Sequence, residues 1–169
     1  MWYLSTIDPR ACELAQKYGL GVEIAEFCTP WNLDENFAET DETLSRKLTG
    51  IRNRILHGPF NELFPCAIDP KARALAFDRF RQTMTLARRY GADKAVLHGG
   101  FNPQMYYPCW YTEQSILFWK SFLPEIPAGV TVCVENVLEP TPESLLAIAE
   151  GVDDPGLRLC LDIGHVNAY

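Results

Sequence analysis

Cys160-Leu161-Asp162-Ile163-Gly164-His165 reads as the end of a short buried strand, Leu157 to Leu161, closing on a carboxylate. Gly164 permits a tight turn, and His165 follows three residues after the acid. An Asp-x-x-His pair at a strand's carboxyl end aims two ligands at one cation. Alone, Asp162 serves equally well as a cap for the turn that follows it. The pair gains meaning from what precedes it, because earlier apolar runs end in His57, His98 and Glu135.

Those runs alternate strictly with helical patterns. Strands are expected at residues 2–4, 21–27, 52–57, 94–98, 130–135 and 157–161. Five helices are expected between them. The first is capped by Asp8-Pro9 and stopped by Gly19, and the second runs from Asp41 toward Gly50. The third and longest runs from Asp69-Pro70 to Tyr90, with Gly91 as its stop and Ala72, Ala76, Phe80, Thr83, Ala87 and Tyr90 on one face. The fourth is capped by Thr112 and the fifth by Thr141-Pro142. Strict alternation of this kind implies α/β architecture with a parallel sheet and right-handed crossovers.

The strand-end residues recur at intervals of 41 (57 to 98), 37 (98 to 135) and 27 (135 to 162), each close to one strand–helix unit. Side-chain parity agrees. Val130, Val132 and Val134 share one face of their strand, and Thr131, Cys133 and Glu135 share the other. The apolar face suits the helices, and the mixed face suits a barrel interior whose active end is the carboxyl end of the strands. The chain has three histidines, and all of them belong to this set. Imidazole and carboxylate without thiolate suit Zn, Mn, Co or Mg in a catalytic site. His57, His98, Glu135, Asp162 and His165 are therefore the candidate metal ligands.

Other residues are candidates of a weaker kind. Glu26 ends the second run and is placed to line the mouth. Asn136 and Asn167 suit hydrogen bonds to substrate hydroxyls. Tyr106, Tyr107, Trp110 and Tyr111 suit the wall of a sugar or nucleotide site, or else the sealing of a loop. Gly99-Gly100 lacks a phosphate-binding fingerprint and reads as a turn of close approach. Arg158 faces inward by parity, where it would pair with a ligand carboxylate.

Composition bounds the function. With 169 residues, 47% of them hydrophobic, the chain is expected to be one domain, 1–169. A net charge of -7 gives no broad basic surface, so nucleic acid is not the expected partner. No apolar run suits a membrane span and no signal segment is evident at the start. The six cysteines have no C-x-x-C spacing and read as free thiols of a cytoplasmic protein.

LHGPF, VLHGG, VENV and LDIGH, in that order on the third to sixth strands, resemble the xylose isomerase-like TIM-barrel superfamily. The resemblance covers the whole chain and implies a (β/α)8 barrel, of which about six units are present. It implies either a divalent-metal-dependent sugar or sugar-phosphate isomerase or epimerase, or an endonuclease IV-like zinc phosphodiesterase on abasic DNA. In the isomerase pattern Glu135 and Asp162 hold one metal with a later His and Glu, Glu135 moves a substrate proton, and His165 touches substrate. In the endonuclease pattern His57, His98 and Glu135 share one zinc, Glu135 bridges to a second held by Asp162, and His165 binds a third. Glu26, Asn136, His165, Tyr106 and Trp110 are the expected substrate contacts, and the isomerase reading is preferred. A degenerate, non-catalytic barrel is the remaining alternative. Six units leave two open sheet edges and lack ligands that the family draws from later strands, so an incomplete site and little turnover are expected. The remainder would come from further chain or from a second copy in a homo-oligomer.

Overall fold

In the computed structural model, which describes residues 1–168, six strands form one sheet in chain order. They are β1 (Tyr3–Ser5), β2 (Gly21–Ile24), β3 (Arg54–His57), β4 (Lys94–His98), β5 (Thr131–Glu135) and β6 (Leu157–Cys160). Every neighbouring pair is parallel. The helices are α1 (Ala11–Tyr18), α2 (Pro30–Asp34), α3 (Phe37–Lys47), α4 (Pro70–Tyr90), α5 (Pro108–Phe122), α6 (Glu143–Val152) and α7 (Ile163–Ala168). Single 3₁₀ turns occur at Glu26–Cys28 and Leu123–Glu125. The sheet is the expected parallel α/β sheet of a barrel with about six units.

The parity reading decides which face is covered. Val22, Ile24, Leu56, Ala95, Leu97, Val132 and Val134 are all 0% exposed and belong to one apolar core with the helices. Against them pack aromatic rings of α4 and α5. Phe80 stacks on Trp119 with ring centroids 5.6 Å apart, and Phe122 meets Phe80 edge-on. Such pairs add about 0.5–1.5 kcal/mol each beyond the area they bury.

Caps operate where the sequence placed them on α4. Asp69 accepts a hydrogen bond from the Lys71 N–H at 2.7 Å, and Gly91 closes the helix at φ 63°. Elsewhere the boundaries move. Arg54, not Arg52, begins β3. The second strand stops at Ile24, so Glu26 lies in a 3₁₀ turn instead of at a strand end. The stretch between the second strand and Asp41, which held no expected element, holds α2, opened by Pro30 at its first position, and α3 begins at Phe37, four residues before Asp41. α5 begins at Pro108, four residues before Thr112, so the last aromatics of the expected loop are helical.

The turn after β4 uses both of its glycines for packing. A β-carbon on Gly99 would collide with the Tyr111 hydroxyl, which donates to Glu139 at 2.8 Å. Gly100 sits at φ 73°, and a β-carbon there would lie 2.7 Å from the Leu63 carbonyl oxygen. Gly100→Ala combines left-handed strain with a backbone clash, so it is expected to destabilise the chain by roughly 2–3 kcal/mol. Urea unfolding of the two chains side by side measures this.

Candidate metal centre at the strand ends

The sheet register builds the centre. His98 pairs with Glu135 across β4 and β5, and Glu135 pairs with Cys160 across β5 and β6. His57 pairs with Val96, two residues short of His98. The strand tilt that a barrel requires offsets this stagger and brings the two histidines level. Their rings lie 5.2 Å apart and edge to face, and His165 meets His98 in the same manner at 5.8 Å. All three histidines of the chain thus converge on one carboxylate.

Glu135 is 6% exposed and both of its oxygens are engaged. Its Oε2 lies 2.9 Å from His98 Nε2 and 3.4 Å from His57 Nε2, while its Oε1 accepts from the Cys160 thiol at 3.7 Å. His57 Nδ1 lies 2.8 Å from the Gly58 carbonyl oxygen. A proton on Nδ1 turns Nε2 toward Glu135 as the ligating nitrogen. His165 is arranged the same way, with Nδ1 2.7 Å from the Asn136 carbonyl oxygen.

Burial works to raise the pKa of Glu135, yet hydrogen bonds from His57 and His98, with their charge, hold it at about 2. Burial works to lower the pKa of His57, yet hydrogen bonds with Cys28 and Glu135 lift it to about 11. The metal-free site is therefore an ion pair sequestered from water, with an imidazolium against a carboxylate. On the floor below, burial raises the pKa of Glu23, and it raises that of the Cys160 thiol to about 12.

Two groups of donors fit a divalent ion. His57, His98 and Glu135 form one, and Glu135, Asp162 and His165 form the other, with donor atoms in each group within 4.8 Å of one another. Two donors about 2.1 Å from a common ion at a tetrahedral angle would be roughly 3.4 Å apart; His57 Nε2 keeps that separation from Glu135 Oε2, and His98 Nε2 lies closer, at 2.9 Å. Glu135 is common to both groups and is the residue able to bridge them.

The other sequence candidates fall in different places. Asn136 is buried and spends its side-chain amide on the backbone of Asp162. Glu26 accepts from the Thr6 hydroxyl at 2.5 Å and lies 3.6 Å from Lys47, in a pocket lined by α2 and α3 residues. Tyr106 is buried beside Phe64, and Trp110 donates to the Cys66 carbonyl at 2.9 Å. Tyr111 is buried in the core and Tyr107 is exposed. Arg158 is exposed and donates to the Asp154 and Leu157 carbonyls, where pairing with a ligand carboxylate was expected. Asn167 lies in α7.

Phe60 was not anticipated. Its ring stacks on His98 at 4.6 Å and meets His57 edge-on at 5.7 Å, so one apolar plate steadies both imidazoles. The Cys160–Glu135 contact was not anticipated either, because the cysteines read only as free thiols. The available signals were Phe60's place in His57-Gly58-Pro59-Phe60 and the shared parity of Cys160 with Asp162.

Strand order, outer helices and a polar cluster at the carboxyl ends define a TIM-barrel-type architecture. Residues 12–169 match the sequence model of the xylose isomerase-like TIM barrel family, and the chain belongs to that family. It is 30% identical over 126 residues to the uncharacterized protein MJ1311 of Methanocaldococcus jannaschii, an alignment taking in 67% of this chain and 42% of that protein. It is 27% identical to the TTHB071 protein of Thermus thermophilus, in a structure soaked with zinc chloride, covering 97% of this chain and 66% of that one (TM-score 0.71). The D-psicose 3-epimerase of Clostridium cellulolyticum H10 shares the fold at 19% identity, covering 99% of this chain and 65% of that one (TM-score 0.73). An endonuclease IV shares the fold as well. The chain thus spans under half the length of the curated relative and about two thirds of these solved structures. Among the described residues, no helix is long and apolar enough to cross a membrane.

Proposed function

We propose that the chain carries the metal-binding part of a divalent-metal-dependent isomerase or epimerase acting on a sugar or sugar phosphate. The observation that carries this reading is the convergence of His57, His98, Glu135, Asp162 and His165 at one end of the sheet. Imidazole with carboxylate suits Zn, Co, Mn or Mg. A bound ion supplies Lewis acidity toward a carbonyl or hydroxyl oxygen.

The protein's own residues divide the remaining work. Hydrogen bonds from His57 and His98 hold the Glu135 carboxyl below the usual range against the effect of burial, which weakens it as a base and suits it to the duty of a ligand. Proton transfer at Glu135 requires those two N–H groups to be withdrawn from its Oε2. His165 lies at the outer edge of the cluster, its side chain 26% exposed, and is placed to meet a substrate oxygen. Phe60 covers the imidazoles and excludes water from one side.

A second reading rests on a separate observation, the sharing of Glu135 by two donor groups, which suits several ions clamping a phosphodiester. The net charge of -7 weighs against a DNA substrate. The test is to incubate the zinc-, cobalt- or manganese-loaded chain with ketoses and ketose phosphates in deuterated water. Slow, metal-dependent deuterium incorporation beside the carbonyl, in keeping with the low turnover expected of a partial site, is expected by proton NMR. Nicking of abasic DNA with no such incorporation would transfer the assignment to the second reading.

A further inference from the structure

Asn136 is positioned to build one of the two donor groups. Its Oδ1 accepts from the Asp162 N–H at 2.7 Å, and its Nδ2 donates to the Asp162 carbonyl at 3.1 Å. Its own carbonyl oxygen lies 2.7 Å from His165 Nδ1, and its N–H donates to the Cys160 carbonyl at 3.3 Å. One side chain therefore clamps both backbone polar groups of a single residue just beyond the next strand, and the backbone of Asn136 orients the imidazole three positions further on.

Besides these bonds, His165 meets the His98 ring edge-on at 5.8 Å. α7 has no buried residue, and Leu161, Ile163 and Val166 are exposed. The turn is closed locally by Asp162, whose Oδ1 accepts from the Gly164 and His165 N–H groups at 2.6 and 3.0 Å. That carboxylate can hold the turn's shape but not its place on β5. His57, His98 and Glu135 are anchored differently, by strand pairing within the sheet and by Phe60. The two groups share Glu135 but differ in what locates their other members.

We propose that Asn136 is a positioning residue that docks the Asp162–His165 turn onto β5, so that its loss dismantles the Glu135–Asp162–His165 group and spares the His57–His98–Glu135 group. The metal arm of this inference rests on the metal-binding reading above, while the docking itself does not. The amide that sequence offered as a substrate contact already spends one acceptor and one donor on Asp162. Outer partners of this kind typically change metal affinity by about 10- to 100-fold when removed.

The test compares the full chain with Asn136→Ala and Asn136→Asp. The aspartate retains an acceptor for the Asp162 N–H but sets a carboxylate oxygen against the Asp162 carbonyl. In metal-free protein, amide exchange at Asp162, Gly164 and His165 is expected to accelerate at least about 10-fold in Asn136→Ala, with Val96 and Leu97 unchanged. Asn136→Asp falls between. In zinc titrations by calorimetry, wild type is expected to show two binding events. Asn136→Ala keeps the tighter one within about 3-fold and weakens the other by about 10- to 100-fold. Unchanged exchange at the three amides would overturn the docking role whatever the metal does. Two unaffected zinc events, or equal loss of both in a folded variant, would overturn the selectivity. A wild-type chain that takes no zinc would remove the metal reading and leave the exchange result to decide the docking.

Discussion

Glu135→Gln is expected to lower zinc affinity by on the order of 1,000-fold at both donor groups, beyond the 10- to 100-fold typical of losing an outer partner. The substitution keeps the shape of the side chain, removes its charge and replaces one acceptor oxygen by an NH2 donor. Both groups contain this carboxylate, whereas Asp162→Asn touches one of them. The variant also changes the metal-free protein. His57 loses the anion that holds it protonated, and its pKa falls from about 11 toward or below its ordinary value of 6.5, since burial then acts with one fewer opponent. Removing one member of a buried charge pair costs about 3–5 kcal/mol when the other stays charged. Here His57 can shed its proton, so a smaller loss, about 2 kcal/mol, is expected. Calorimetry with zinc and an NMR titration of the His57 ring check the two halves. Retained nanomolar or micromolar zinc binding equal to wild type would exclude Glu135 as a ligand.

The second large effect is an opposition between the pH at which the metal-free chain is most stable and the pH at which it takes metal best. Glu135 is depressed from 4.5 to about 2, so its contribution is fully present above 4.5 and disappears as the pH falls toward 2. His57 is raised from 6.5 to about 11, so its contribution is fully present below 6.5 and disappears as the pH rises through 11. These are two views of one pair and count once. The pair stabilises the metal-free chain most between 4.5 and 6.5. Metal binding runs the other way, because an ion must displace the proton on His57 Nε2. For one displaced proton the apparent affinity rises about tenfold per pH unit, roughly 100-fold from pH 6 to pH 8. Thermal unfolding with chelator, beside zinc titrations at the same pH values, separates the two curves. Affinity flat across that range would mean that no proton is displaced.

The elements whose signals were local were legible in the sequence. Pro70 after Asp69, with Gly91 at the far end, marked α4 because both act through their own backbone. Alternation along β4 and β5 told inward from outward faces, since each side chain's direction follows from the pleat. That parity set Glu135 on the face of the site, and the strand-end spacing set His98 and Asp162 beside it. Pro108 at the first position of α5 carried the same signal as Pro70 but lay among aromatics that suggested a loop. Phe60 on His98, and the amide of Asn136 on Asp162, were not legible. Both depend on how one strand's exit loop meets the next, a distance set by strand tilt rather than by any residue's own preference. Asn136 invited a substrate role because polar residues beside a ligand usually face the cavity. Here the next strand's backbone was the nearer partner.

X-ray data from zinc-loaded crystals, collected on both sides of the zinc absorption edge, test the metal centre most directly. Anomalous density is expected between His57, His98 and Glu135, with a second peak between Glu135, Asp162 and His165 at higher zinc. Full zinc loading with no anomalous peak within reach of Glu135 would contradict the assignment.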